Sequence, residues 1–425
     1  ELANLLRGHP ETNVTLTMYR ASEKKEYTHT LTRRIILINT VEYESLNNYI
    51  GYLKINSFSK LTEKQLKKYL VQAKKEKVKG VILDLRGNPG GLLHQSVKVA
   101  SNFLYKGQMI VYTKGRSKAD YREYRSLYKK SLYKMPIVVL INQYSASASE
   151  IVAGALRDSG NALLVGENSY GKGSVQTIYP LDAKGNAIKL TTAFYYLPMG
   201  RCINKPENGI RDETHTESDS TVTDSTKKEE VFYTNAGRKV YGGGGITPDM
   251  DAEATHLTWM EQIIERQSLF FKFAVKVRSA LDKKKAKVDE NWEVPATLLK
   301  EFEEFVLKDS LFNESKGPSE ASVTVLEEVL ESEKKWEGDT LRTAKDEVEL
   351  AIEHLKEAFA NRRTKALQSN AEYIRRGIKR ELIGIMQGDA ARTAYNLKAD
   401  TQVLKAIEII ADDTNYQKLL TKQAK

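Results

Sequence analysis

The chain has 425 residues, 66 Lys and Arg against 56 Asp and Glu for a net charge of +10, and a single cysteine, Cys202. One cysteine excludes an intrachain disulfide and any zinc site built on paired cysteines. No run of ~18 apolar residues occurs, the length a membrane-spanning helix needs, and the length predicts roughly two to four domains.

Residues 52–58 alternate as a strand, and 62–77 read as a helix with Thr62 as its N-cap. Residues 81–85 are a buried strand running into Gly87-Asn88-Pro89-Gly90-Gly91 and a helix that starts near Leu92. Amides in such a turn are free to face an anion. Phosphate binding is a rival reading, but there is no G-x-G-x-x-G and no following Lys-Ser/Thr. Segment 118–134 mixes Tyr121, Tyr124, Tyr128 and Tyr133 with Arg122, Arg125, Lys129 and Lys130, a composition suited to nucleic acid. Tyr121, Tyr124 and Tyr128 stand at i, i+3 and i+7, which favours a helix packed on the core instead.

Residues 136–142 read as a fully buried strand and 151–156 as a helix, and strands and helices alternate through Asn161, which argues an α/β core with βαβ crossovers. Residues 174–179 and 188–197 read as a strand pair around a turn at 182–186. Segment 204–230 is polar, with Ser, Thr and Asp concentrated at 214–226, and is expected to be a mobile loop. From Ala254 the composition is helical. Within 339–387, Leu341, Ala344, Val348, Ile352, Leu355 and Phe359 form the stripe of a helix packed on one side, with Lys345–Glu349 and Glu353–Lys356 as solvated pairs.

Two stretches carry the chemistry: Tyr144-Ser145-Ala146-Ser147-Ala148-Ser149-Glu150 and Tyr170-Gly171-Lys172-Gly173-Ser174-Val175-Gln176. Ser147 sits at a strand-to-helix turn, where its hydroxyl projects from a rigid sheet and unpaired first-turn amides can hold an oxyanion. Neither stretch has a histidine, and there is no G-x-S-x-G elbow. Lys172 is the candidate base; Gly171 and Gly173 let its main chain bend and approach a neighbour closely. Lysine in water, with pKa ~10.4, is neutral in about one molecule in a thousand near pH ~7.4, so a lysine base needs an apolar setting. Serine–lysine pairs work by this route. A tight helix start and a solvated G-K-G turn are the bland alternatives.

Four blocks in order resemble the C-terminal processing peptidases, or tail-specific proteases: Gly80-Val81-Ile82-Leu83-Asp84-Leu85-Arg86-Gly87-Asn88-Pro89-Gly90-Gly91, then 145–150, then 165–176, and the glycine-rich Tyr241-Gly242-Gly243-Gly244-Gly245-Ile246-Thr247-Pro248-Asp249. The resemblance covers about residues 1–249. It implies a Clp/crotonase-like α/β protease core with Ser147 as nucleophile, Lys172 as general base and Gln176 positioning the lysine. Oxyanion donors would be the amides of Gly91, with Gly90 as the alternative, and Ala148.

The same resemblance makes 1–20 the last helix and strand of a PDZ domain, most of which is missing, and 21–253 the protease core with a polar insertion at 204–230. Residues 254–425 would be a C-terminal helical domain: a dimerisation element, a lid or a passive bundle. Implied partners are proteins or peptides with apolar C-termini, bound as an added strand. Membrane proximity and a homo-oligomer are compatible with it, whereas nucleic acid, metal and organic cofactor are not expected. The implied location is extracytoplasmic, in a bacterial periplasm or envelope. The start has no signal-peptide pattern, which suggests a piece of a longer precursor. Two rivals are a crotonase-like acyl-CoA enzyme and a protease-derived binding scaffold.

Overall fold

The computed structural model describes residues 2–20, 23–36, 38–47, 49–128, 135–183, 185–205, 230–283, 286–337 and 347–421. The chain opens with α1 (Leu2–Leu6) and the hairpin β1 (Asn13–Arg20) and β2 (Lys25–Thr32), which form a two-stranded sheet of their own among the described residues. Next come β3 (Val41–Leu46), β4 (Ile50–Ile55), α2 (Thr62–Lys75), β5 (Gly80–Asp84) and α3 (Leu93–Ser101). They are followed by β6 (Met109–Gly115), β7 (Arg122–Arg125), β8 (Ile137–Ile141), α4 (Ala148–Asp158) and β9 (Leu163–Gly166). Then β10 (Ser174–Pro180) pairs with β11 (Ala187–Tyr196), β12 (Val231–Tyr233) pairs with β13 (Lys239–Tyr241), and β14 (Met250–Asp251) joins β9.

The central sheet has the order β14-β9-β8-β5-β4-β3, parallel throughout except for the antiparallel edge strand β3. Parallel strands need crossovers, and helices on both faces bury them on both sides. β5 and β8 are accordingly apolar at nearly every position. Val81, Leu83, Ile137, Val139 and Ile141 pack with α2, α3 and α4 on one face. Ile82, Val138 and Leu140 face the other. A second, antiparallel sheet has the order β10-β11-β6-β7.

Helices α5 (Trp259–Arg266), α6 (Leu269–Lys283), α7 (Ala296–Leu307), α8 (Ser310–Glu314), α9 (Pro318–Glu337), α10 (Glu347–Ser369), α11 (Ala371–Gln387) and α12 (Asp389–Leu397) follow. Most share a core around Phe270, Phe273, Phe302 and Ile378. The last two, α13 (Thr401–Ala411) and α14 (Asp413–Thr421), return to the central sheet. Val403, Ala406, Ile409, Ile410 and Tyr416 cover its second face.

Several expectations are corrected here. Over its described residues, 118–128, the segment expected to be a helix is not one: Lys118–Asp120 is one 3-10 turn and β7 follows. Tyr124, Ser126 and Tyr128 turn inward while Glu123, Arg125 and Leu127 are exposed, the two-residue period of a strand. Tyr133, Lys129 and Lys130 lie outside the described residues. Thr62 is inside α2, whose N-cap is Leu61; its hydroxyl instead donates to Ser57 O and accepts from Ser59 N. The described part of the stretch 339–387, from Glu347 on, is two helices broken at Asn370. Ile352 of its stripe is buried, but Val348 and Leu355 are exposed, because α9 covers only a narrow line of α10. Lys356 pairs with Glu327 of α9. Leu341, Ala344, Lys345 and nearly all of 204–230 lie outside the described residues. The expected boundary at 20/21 lies at the end of β1, and within the expected C-terminal region α13 and α14 pack on the central sheet.

Candidate active site

The site begins where β5 ends. The turn 87–91 is held from inside: Asn88 donates Nδ2 to Ile55 O (2.6 Å) and accepts at Oδ1 from Gly90 N (2.9 Å). Asn88 O then accepts from Ala146 N and from Ser149 Oγ, both at 3.0 Å. One asparagine therefore locks the glycine turn to the segment around Ser147. The Gly90 amide is spent on Asn88, while the amides of Gly91 and Ala148 donate to no described residue. Gly91 is in close main-chain contact with Phe58; a Cβ there would stand 2.3 Å from Phe58 O.

Ser147 stands between β8 and α4 with φ 55° and ψ −111°, a left-handed conformation that costs a serine about 1–3 kcal/mol. Surroundings that over-determine the turn hold it there. The Ser145 hydroxyl donates to Leu85 O (2.8 Å), and Ser147 N donates to Glu150 Oε2 (2.7 Å). Gly90 must be glycine, since at φ 98° an added Cβ would lie 2.7 Å from Ala146 O and 2.9 Å from the Ser147 Cβ. Gly90→Ala is expected to cost more than about 1 kcal/mol in a denaturant melt, by forcing a strained φ, and to displace Ser147.

Glu150 is the residue the reading of the sequence passed over. It is fully buried, and its Oε2 also accepts from Lys172 N (2.9 Å) while Oε1 accepts from Gly171 N (2.7 Å) and Ser169 Oγ (2.5 Å). The main chains of Ser147 and Lys172 thus hang from one carboxylate oxygen. Burial pushes the Glu150 carboxyl above its ordinary value, against the pull of these four donors. The signal was present in the sequence: Ser147-Ala148-Ser149-Glu150 is the S-x-x-E pattern of a capping box.

The Lys172 loop is clamped on its other side too. Tyr195 N donates to Gly173 O (2.7 Å) and Lys205 N to Gly171 O (3.0 Å). A Cβ on Gly173 would meet Asn204 N at 2.4 Å, which is why glycines flank the lysine. The side chains beyond this frame do not converge. The side chains of Lys172 and Gln176 are exposed, neither side chain donates to a described residue, and Gln176 follows a bulge in β10.

Residues 49–216 match the model of peptidase family S41, and residues 260–410 match that of a probable PDZ-protease C-terminal helical domain. A carboxy-terminal-processing protease of Bartonella bacilliformis is 44% identical over 207 residues, covering 48% of this chain and 47% of that protein. The carboxy-terminal processing protease CtpA of Bacillus subtilis is 37% identical over 217 residues, covering 51% and 45%. Among solved structures, a photosystem II D1 C-terminal processing protease is 30% identical with a TM-score of 0.36, covering 46% and 54%. The chain spans about half the length of the curated relatives it matches. Over residues 49–216 the chain is thus similar to peptidase family S41, and the relatives it matches are carboxy-terminal processing proteases.

Proposed function

We propose that this chain is a serine endopeptidase that cleaves proteins near their C-termini. Ser147 attacks the scissile carbonyl, and Lys172 takes the hydroxyl proton and returns it to the leaving amine. Gln176 orients Lys172, and the amides of Gly91 and Ala148 hold the tetrahedral oxyanion. The observation that carries the reading is Ser147 itself, held at φ 55° at the start of α4 beside two undonated amides. Strain of that kind is retained where surroundings enforce it, and it clusters at reacting groups.

Lys172 is exposed in this conformation, so closing the pair requires its side chain to swing inward about an anchored main chain. A peptide seated over the glycine turn would exclude water from around both side chains. Strand β10 lies at the edge of its sheet and offers main-chain groups for an added strand, with apolar C-termini as the preferred partners. Residues 1–20 are read as the end of a PDZ domain, and the protein as extracytoplasmic, in a periplasm or envelope. No helix among the described residues is long and apolar enough to cross a membrane.

The test is hydrolysis of a peptide with an apolar C-terminus by the wild-type chain and by Ser147→Ala, which should be inactive. Lys172→Arg should be as inactive as Lys172→Ala, because arginine cannot be deprotonated in proteins and so accepts no proton. Substantial activity in the arginine variant would make Lys172 an electrostatic residue and overturn its role as base.

A further inference from the structure

The first turn of α13 reaches the site from the far face of the sheet. Arg86, just before the glycine turn, donates Nη1 to Asp400 Oδ1 (3.0 Å) and Gln402 Oε1 (2.7 Å), and Nη2 to Asp400 Oδ2 (2.8 Å). Its other edge is held by Asp84, which also accepts from Tyr52 OH (2.7 Å). Burial would raise the Asp84 carboxyl, but the Arg86 guanidinium beside it holds it below its ordinary value. Asp400 is itself fixed as the N-cap of α13, accepting from the amides of Gln402 and Val403 at 3.1 Å. Gln402 is fully buried and donates Nε2 to Ala252 O (2.5 Å). Ala252 N in turn donates to Gly166 O (3.0 Å) at the end of β9, the strand from which the Lys172 loop departs.

We propose that Asp400 and Gln402 are positioning residues that couple the C-terminal helices to the active site. Through Arg86 they fix the glycine turn 87–91, and through Ala252 they tie it to the strand end that leads to Lys172. A bidentate arginine–carboxylate pair is directional enough to set such a turn. Asp84 keeps Arg86 paired when Asp400 is removed, so the fold survives while the clamp opens on one edge. The catalytic consequence rests on the protease reading; the structural one does not.

The experiment uses the full chain with Asp400→Ala and the milder Asp400→Asn, which keeps a competent N-cap but loses one acceptor for Arg86. Asp400→Ala is expected to lower kcat by about 10- to 100-fold with KM changed little, since misplacing a reacting group by about 1 Å can cost that much. Asp400→Asn should fall between it and wild type. The Arg86→Ala/Asp400→Ala double variant should lose no more than Arg86→Ala alone, the mark of residues acting through one contact. Independently of activity, amide hydrogen exchange across 87–92 should quicken by ~10-fold or more in Asp400→Ala, with β5 and α4 unchanged.

Unchanged exchange would overturn the coupling outright, and so would faster exchange with an unchanged kcat, which marks a merely structural clamp. A wild-type chain with no Ser147-dependent hydrolysis would instead defeat the protease reading and leave exchange to decide the coupling.

Discussion

Ser147→Gly is expected to abolish hydrolysis, by roughly 10⁴-fold or more, and at the same time to stabilise the protein. The two effects come from different atoms. Loss of the hydroxyl removes the proposed nucleophile, and loss of the Cβ relieves a side chain held at φ 55°. Serine pays about 1–3 kcal/mol for that conformation; glycine adopts it freely but gives back about 0.5–1 kcal/mol through its larger unfolded-state entropy. The net gain is about 1 kcal/mol, visible as a rise of a few degrees in Tm. Ser147→Ala separates the causes, because it keeps the Cβ: it should be equally inactive with an unchanged Tm. A glycine variant no more stable than the alanine one would show that the turn stores no strain. Hydrolysis retained by either would remove Ser147 as nucleophile.

The frame around this serine was legible in the sequence because its strands are buried on both faces. A continuous apolar run such as Ile137–Ile141 has few readings other than a parallel-sheet strand, and the Ser/Ala turn and helix follow it directly. What fills the second face was not legible. Val403, Ile409 and Tyr416 belong to helices far along the chain, and their amphipathic spacing carries no record of what they pack against. The tyrosines at 121, 124 and 128 misled for another reason. Their spacing satisfies a helical stripe, yet Tyr124, Ser126 and Tyr128 also alternate, and pairing with β6 selected the strand. Tertiary pairing decides between two such patterns, and a local period cannot. Glu150 was hidden by its type: an acidic residue reads as solvated until four donors are seen to converge on it.

Glu150→Gln tests that convergence. An amide in place of the carboxylate keeps one oxygen acceptor and puts an NH₂ group where two donors now point. If the amide oxygen takes the Oε2 position, Gly171 N and Ser169 Oγ lose their acceptor; if it takes the other, the clasp between Ser147 and Lys172 opens. Each unsatisfied buried donor costs about 1–3 kcal/mol, offset in part because a buried charge has been removed. Stability should therefore move less than activity, and kcat/KM is expected to fall by about 10²-fold or more as the proposed nucleophile and base lose their common anchor. The pH dependence has a definite sign. Burial raises the Glu150 carboxyl above its ordinary value, so ionised Glu150 costs folding free energy above the raised pKa, and its stabilising share is fully present only below the unfolded value. Activity runs the opposite way, because the ionised form is the one that accepts from all four donors. On acidification wild-type kcat/KM should thus fall more steeply than that of the glutamine variant, starting above the ordinary glutamate range, since only the wild type loses the ionised clasp there. A variant within about threefold of wild-type kcat/KM, too small a change for the loss of a common anchor, or one whose acid side is as steep as that of the wild type, would remove Glu150 from the role of clasp between Ser147 and Lys172.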